Sequence, residues 1–214
     1  MVFTLVLTSV ASTYGILYNY EIFRAVAPLL KRLGLRDLDD EGGKAAHEPM
    51  RIVFLGLHRE GSSVLHELLV RRPDLSAEMG VIDFNPVVRD RLKQRGIRAI
   101  YGDLSHGDTL HHAEVHDAAV VICALPDSLL KGTTNKRLLE EMGHLAPEAR
   151  LIVTAEDFGA AQDLYRAGAA FVYVPRLMGA REMAEVILKS LHGDPEQERH
   201  EALSMLDDRV EVLP

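Results

Sequence analysis

Residues 51–61, Arg-Ile-Val-Phe-Leu-Gly-Leu-His-Arg-Glu-Gly, constrain the fold of this 214-residue chain more than any other stretch. An apolar run of strand-forming residues ends at Gly56, a second glycine follows at Gly61, and an amphipathic helical pattern begins at once. Strand, tight turn and helix in that order open a parallel βαβ unit whose turn cradles a phosphate. The spacing has one departure. Position 58, where glycine lets the backbone approach a pyrophosphate, is His58.

From Arg51 onward the pattern alternates. Strands are predicted at Ile52–Leu55, Glu78–Asp83, Ala99–Tyr101, Val120–Ala124, Arg150–Ala155 and Phe171–Val174. Helices are predicted between them, at Ser62–Arg71, Pro86–Arg95, Leu110–Glu114, Thr133–Met142, Asp157–Ala167 and Ala180–Leu191. Short apolar strands separated by helices imply an α/β fold, a Rossmann-like, doubly wound parallel six-stranded sheet.

The first turn sets Gly61, Ser62 and Ser63 at a helix N-terminus, where free N–H groups and the dipole favour an anion. Asp83 ends the second strand at a spacing suited to an adenosine ribose; capping the helix that follows Asn85-Pro86 is the alternative. His58 crowds a pyrophosphate, yet with Arg59 it offers hydrogen bonds to a terminal phosphate such as that of AMP or ADP. Asp103, after the third strand, either lines an adenosine site or caps the next helix. Ala124-Leu125-Pro126-Asp127 end the fourth strand where the strand order reverses, and Thr133, Thr134 and Asn135 open the next helix. His106, His111, His112 and His116 cluster without the cysteine or acid spacing of a metal site and read as surface histidines.

The formal charge of −8 and the absence of a basic tract argue against a nucleic-acid partner. The single cysteine, Cys123, sits in an apolar strand and reads as a small core residue. No Tyr-x-x-x-Lys pair, Gly-x-Ser-x-Gly elbow or substrate domain accompanies the nucleotide pattern, so the chain reads as a non-enzyme. Residues 2–20 carry no charge; as a helix they rise about 28 Å, roughly one hydrocarbon thickness. Thr4, Thr8 and Ser12 form a hydroxyl stripe, Tyr14, Tyr18 and Tyr20 sit near the far end, and Arg24, Lys31, Arg32 and Arg36 follow. That is the order of a membrane helix with its basic end in the cytoplasm. An amphipathic helix covering an oligomer interface is the alternative. Residues 37–49 read as a linker, and 193–214 as a charged, mobile tail apart from the apolar Val210–Leu213.

Arg51–Leu191 resembles the TrkA N-terminal domain, also called the regulator-of-potassium-conductance (RCK) domain. The resemblance rests on Ile-Val-Phe-Leu-Gly with Gly61-Ser62, Val-Ile-Asp-Phe-Asn-Pro, Ile-Tyr-Gly-Asp, Val-Ile-Cys-Ala-Leu-Pro-Asp and Leu-Ile-Val-Thr-Ala-Glu-Asp, in the family's order. Residues 3–33 resemble the final membrane helix of Kef-type monovalent cation:proton antiporters. The resemblance implies a last transmembrane helix and basic juxtamembrane helix in 1–36, the linker, a nucleotide-binding domain in 50–192 and the tail. It further implies a homodimer at the inner membrane, with the domain cytoplasmic, that binds AMP, NAD(H) or a related adenine nucleotide and gates flux of K⁺ or Na⁺. On it, Gly56, Gly61, Asp83, Asp103 and Asn135 fall near the ligand; Leu57, His58, Arg59, Ser62, Phe84, Leu104, Ala124 and Leu125 complete the candidate set. Three alternatives stand beside it: a soluble TrkA-like subunit of a potassium transporter, a dimerising module without ligand, and a small NAD(P)-dependent oxidoreductase.

Overall fold

The structure, a computed structural model, describes residues 2–17, 49–193, 195–207 and 209–213. The chain divides into two compact units, Met1–His47 and Glu48–Pro214. In the first, α1 spans Val2–Leu17, and the hydroxyls of Thr8 and Thr13 bond back to the carbonyls of Thr4 and Ser9. Its 16 residues rise about 24 Å, short of a hydrocarbon core of about 30 Å. Among the described residues no helix is long and apolar enough to cross a membrane. The rest of the uncharged segment, the basic stretch to Arg36 and the linker up to residue 48 lie outside the described residues.

In the second unit six parallel strands run β1 Ile52–Leu55, β2 Met79–Asp83, β3 Arg98–Tyr101, β4 Val120–Cys123, β5 Arg150–Thr154 and β6 Phe171–Tyr173. Their order is β3-β2-β1-β4-β5-β6, the doubly wound arrangement expected from the alternation. The central strand β1 is paired on both sides, Ile52 opposite Met79 of β2 and Val120 of β4. Successive side chains point to opposite faces, so both faces need apolar residues. Phe54 enters one core with Met79, Val81 and Ile122; Val53 and Leu55 enter the other with Ile82, Val121 and Cys123. Burial pushes the Cys123 thiol up to about 12, consistent with the core role expected of it.

Helices α2 (Arg59–Arg71) and α3 (Pro86–Lys93) cover the Phe54 face through Leu65, Val88 and Leu92. The opposite face is covered by α4 (Gly107–His112), α5 (Asn135–Leu145) and α6 (Phe158–Arg166), through Leu110, Leu138, Leu139, Met142 and Leu164. Two departures from the sequence expectations stand out. The helix expected at Leu110–Glu114 lies earlier, because Glu114 adopts a left-handed φ of 54° and a separate 3-10 turn, Val115–Asp117, follows. His112 and His116 therefore do not share one helix face. The second departure concerns α7 (Pro175–Ser190), which starts five residues before the expected Ala180 because Pro175 provides a favourable first position.

Beyond it, Pro195–Asp207 form α8 rather than a loose tail, and the apolar stretch that follows returns to the domain, with Val212 fully buried against the α2–α3 face. Neither α7 nor α8 contains a buried residue. Leu65 carries much of the docking of α2, being fully buried on the helix's inward face. Leu65→Ala is expected to cost about 2–5 kcal/mol, read as a lower urea midpoint at unchanged slope.

Candidate functional site

The carboxyl ends of β1 and β4 meet where the strand order reverses, and most of the sequence-selected residues gather there. Gly56 ends β1 with φ +73°, a conformation that side chains rarely adopt, and its N–H donates to the Ile82 carbonyl at 2.8 Å. A Cβ at this position would lie 2.2 Å from Leu125 Cδ1 and 3.5 Å from Leu104 Cδ1. Both leucines thus pack over the turn. Gly61 serves helix packing: a Cβ there would stand 3.3 Å from Leu57 Cδ1 and 3.5 Å from Ala124 Cβ.

His58 is the N-cap residue of α2 in extended conformation, exposed, with its carbonyl accepting from Ser62 N at 2.7 Å. Its side chain makes no capping bond. The N–H groups of the first helical turn have no intrahelical acceptor, so this end of α2 presents donors and positive dipole to an incoming anion. Arg59 is exposed at the first helical position beside it. Ser62 is fully buried, and its Oγ accepts from Leu213 N at 2.8 Å.

Asp83 is buried at the end of β2 and joins two segments. One oxygen accepts from Leu57 N at 2.7 Å, the other from Asn85 N at 2.7 Å. The cap of α3 is Asn85, whose Oδ1 accepts from Val87 N, so capping does not occupy Asp83. Burial raises the Asp83 carboxyl above its ordinary range, opposed by the two backbone bonds and by His58. Phe84 beside it is exposed. Asp103 takes neither strand nor helix contacts of that kind: its Oδ1 accepts from Ser105 N at 2.9 Å, and that bond holds its carboxyl below the usual range. His106 lies 3.5 Å from its other oxygen.

Across the crevice, Asn135 starts α5 almost fully buried. Its Nδ2 donates to the Leu125 carbonyl and to Asp127 Oδ1, each at 2.8 Å, and its N–H donates to the same Asp127 oxygen at 2.7 Å. Thr134 caps the helix, accepting from Arg137 N. Among the described residues, Thr133 Oγ1 and Asn135 Oδ1 are buried polar atoms without a hydrogen-bond partner, as are Glu60 Oε2 and Arg89 Nε. Unpaired buried polar atoms are costly and rare, so each calls for an explanation.

Glu60 was not among the sequence candidates. The sequence pattern starts the helix at Ser62, whereas α2 begins at Arg59 and takes Glu60 into its first turn. Here burial raises its carboxyl, with His58 opposing; Tyr173 of β6 is likewise raised by burial, and Glu60 adds to that shift. Asp127, placed by the sequence at the switch point but left out of the candidate set, organises the loop below Asn135. A separate cleft of about 280 Å³ lies one strand over, lined by Asp127, Lys136, Glu156, Asp157 and Asp163 among others. Four carboxylates against one ammonium make it unsuited to a phosphate. Among the described residues no group of three or more His, Cys, Asp or Glu is set to hold a metal ion.

Residues 52–175 match the TrkA-N domain family. The chain belongs to that family. It is similar to the glutathione-regulated potassium-efflux system protein KefC of Enterobacter sp. (strain 638), 26% identical over 201 residues that cover 88% of this chain and 31% of that protein. The chain thus spans less than a third of that relative's length. Among solved structures, the TrkA-N domain of the inner membrane protein ybaL from Escherichia coli aligns with a TM-score of 0.56 at 22% identity, over 65% of this chain and 97% of that one. The NAD(P)-binding domain of an exopolyphosphatase-related protein from Archaeoglobus fulgidus aligns with a TM-score of 0.54 at 15% identity, over 65% and 98%. Both likenesses concern the fold.

The TrkA-N fold places Asp83 so that its burial and its hydrogen bonds oppose each other. Because the folded-state value lies above the unfolded one, the folded protein binds the extra proton, and Asp83 stabilises less as pH rises through that interval. Asp83→Ala leaves the Leu57 and Asn85 amides unpartnered and is expected to cost about 1–3 kcal/mol. The loss should be larger at about pH 4 than at about pH 7, compared by urea unfolding of both proteins.

Proposed function

We propose that this TrkA-N domain is a regulatory module that senses an adenine nucleotide, AMP or NAD(H), and controls a Kef-type monovalent cation:proton antiporter. The observation that carries the reading is the crevice between β1 and β4. An uncapped helix end stands on one side of it, and the unpartnered Thr133 Oγ1 and Asn135 Oδ1 stand at the other. A phosphate suits the first and a base or ribose the second. Gly56, Leu57, His58, Arg59, Gly61 and Asp83 would hold the phosphate and ribose side; Asp103, Leu104, Ala124, Leu125 and Asn135 would line the remainder. The similarity to a glutathione-regulated potassium-efflux protein supports it. No hydride chemistry is assigned, since the nucleotide acts as an effector.

The same reading places the domain in the cytoplasm beneath an inner-membrane transporter. The uncharged N-terminal segment, with exposed Phe3 and Leu7 on α1, belongs to its last membrane helix. Two copies pair through α7, where Met183, Val186, Ile187 and Leu191 stay exposed because the helix does not pack on the sheet. Nucleotide binding gates flux by favouring one dimer geometry, to the extent that the two geometries differ in affinity.

Titration calorimetry of the full chain with AMP, ADP, ATP, NAD⁺ and NADH tests the reading. Saturable binding of at least one is expected; heats no larger than dilution for all of them overturn it and leave a dimerising module. His58 sits where a dinucleotide's pyrophosphate would approach the turn, with no capping bond to lose. His58→Gly is therefore expected to strengthen NADH binding about tenfold, on the scale of one relieved contact, while AMP binding changes less.

A further inference from the structure

Between Val174 and Arg209 the chain leaves the sheet as α7 and α8, neither of which has a buried residue, and it re-enters the domain at 209–213. Those residues form a strap across α2 and α3. From α2, Ser62 Oγ accepts from Leu213 N at 2.8 Å, Ser63 Oγ donates to the Glu211 carboxylate at 2.9 Å, and Glu67 pairs with Arg209 at 2.8 Å. His66 Nδ1 lies 3.0 Å from the Val210 carbonyl. Arg91 of α3 donates to the Val212 carbonyl, and Arg95, just past that helix, to the Glu211 carbonyl at 2.9 Å. Val212 is fully buried in the same apolar cluster as Leu65, Val88 and Leu92.

We propose that this strap is a clamp: docked, it fixes the first turns of α2 in the position that receives the nucleotide, and released, it lowers nucleotide affinity. The inference rests on the nucleotide-sensing reading. Ser62 is the fourth residue of α2, one turn from the amides that face the crevice, and its buried hydroxyl is satisfied by the strap. Withdrawing the strap removes that hydroxyl's partner and uncovers the space Val212 fills, which frees the start of α2 to shift. The strap is also the continuation of the arm that carries the exposed face of α7. Movement of the arm at a dimer contact thereby reaches the phosphate end of the site without crossing the sheet. Linkage requires the converse, that bound nucleotide holds the strap down.

The test uses the full chain, with Val212→Asp to expel the strap and Arg91→Ala to loosen it from α3 without touching α2. Both are measured well below their melting temperatures. Hydrogen exchange at Ser62–Leu65 should quicken in both, AMP or NADH binding should weaken about fivefold or more, and saturating nucleotide should slow exchange at Val212 and Leu213 in the unmodified chain. If the strap amides exchange freely in the variants while Ser62–Leu65 exchange and nucleotide affinity stay as in the unmodified chain, the clamp is overturned and the strap merely covers an apolar groove. Should the unmodified chain bind no nucleotide, the sensing reading falls first. The clamp is then judged on Ser62–Leu65 exchange alone, and unchanged exchange there overturns it.

Discussion

The double-sided burial of β1 governs everything around the site. Val53, Phe54 and Leu55 are each almost fully buried, alternately in two separate cores, and both neighbouring strands take their register from this one. A strand paired on both edges and covered on both faces has no freedom to slip, since a one-residue shift would exchange the two cores. The turn that follows is held equally firmly. Gly56 must take a left-handed conformation at a fixed point in space, directly beneath Leu125. The crevice is the consequence: β2 and β4 leave β1 in opposite directions, and their loops separate at its carboxyl end.

Asp83 then connects the turn to the neighbouring strand, at an electrostatic cost. Removing a carboxylate from water disfavours its charge, while two short backbone hydrogen bonds favour it; burial wins, and the group titrates above its usual range. Glu60 repeats the pattern with less compensation, because one of its oxygens has no partner at all. Two perturbed acids thus flank the end of α2 that faces the crevice. Their charge opposes a phosphate, whereas the free amides of the helix end attract it. The net field at this end of α2 is the balance between them.

The two faces of the sheet are closed in different ways. Helices α4, α5 and α6 complete one face with their own side chains, while the other needs a segment from far along the chain, with Val212 inserted between α2 and α3. A contact made by five residues at the end of a long exposed arm is easier to undo than a packed helix. That segment ties the end of the α7–α8 arm to the start of α2.

The sheet was legible from residues alone because its cause is local. Apolar runs of four or five residues bounded by Gly, Asp or Pro set the strands to within a residue at most ends, and Asn85-Pro86, Thr134 and Asp157 marked helix starts that their side chains do cap. Much of the crevice was legible for the same reason, since the ends of β1, β2 and β4 fix where Gly56, Asp83 and Leu125 must lie. What these groups do there was not. Asp83 could bind, cap or brace, and the choice depends on the Leu57 amide, 26 residues away. Glu60 fell before the expected helix start at Ser62, and only burial distinguished it. The docking of Val212 rests on arginines more than a hundred residues earlier. Sequence by itself determined the strands, their order and the family resemblance, because periodicity, caps and turns act between near neighbours. Only the tertiary structure decided which carboxylates are buried, which oxygens lack a partner and where the chain returns, because burial is a property of contacts between distant segments.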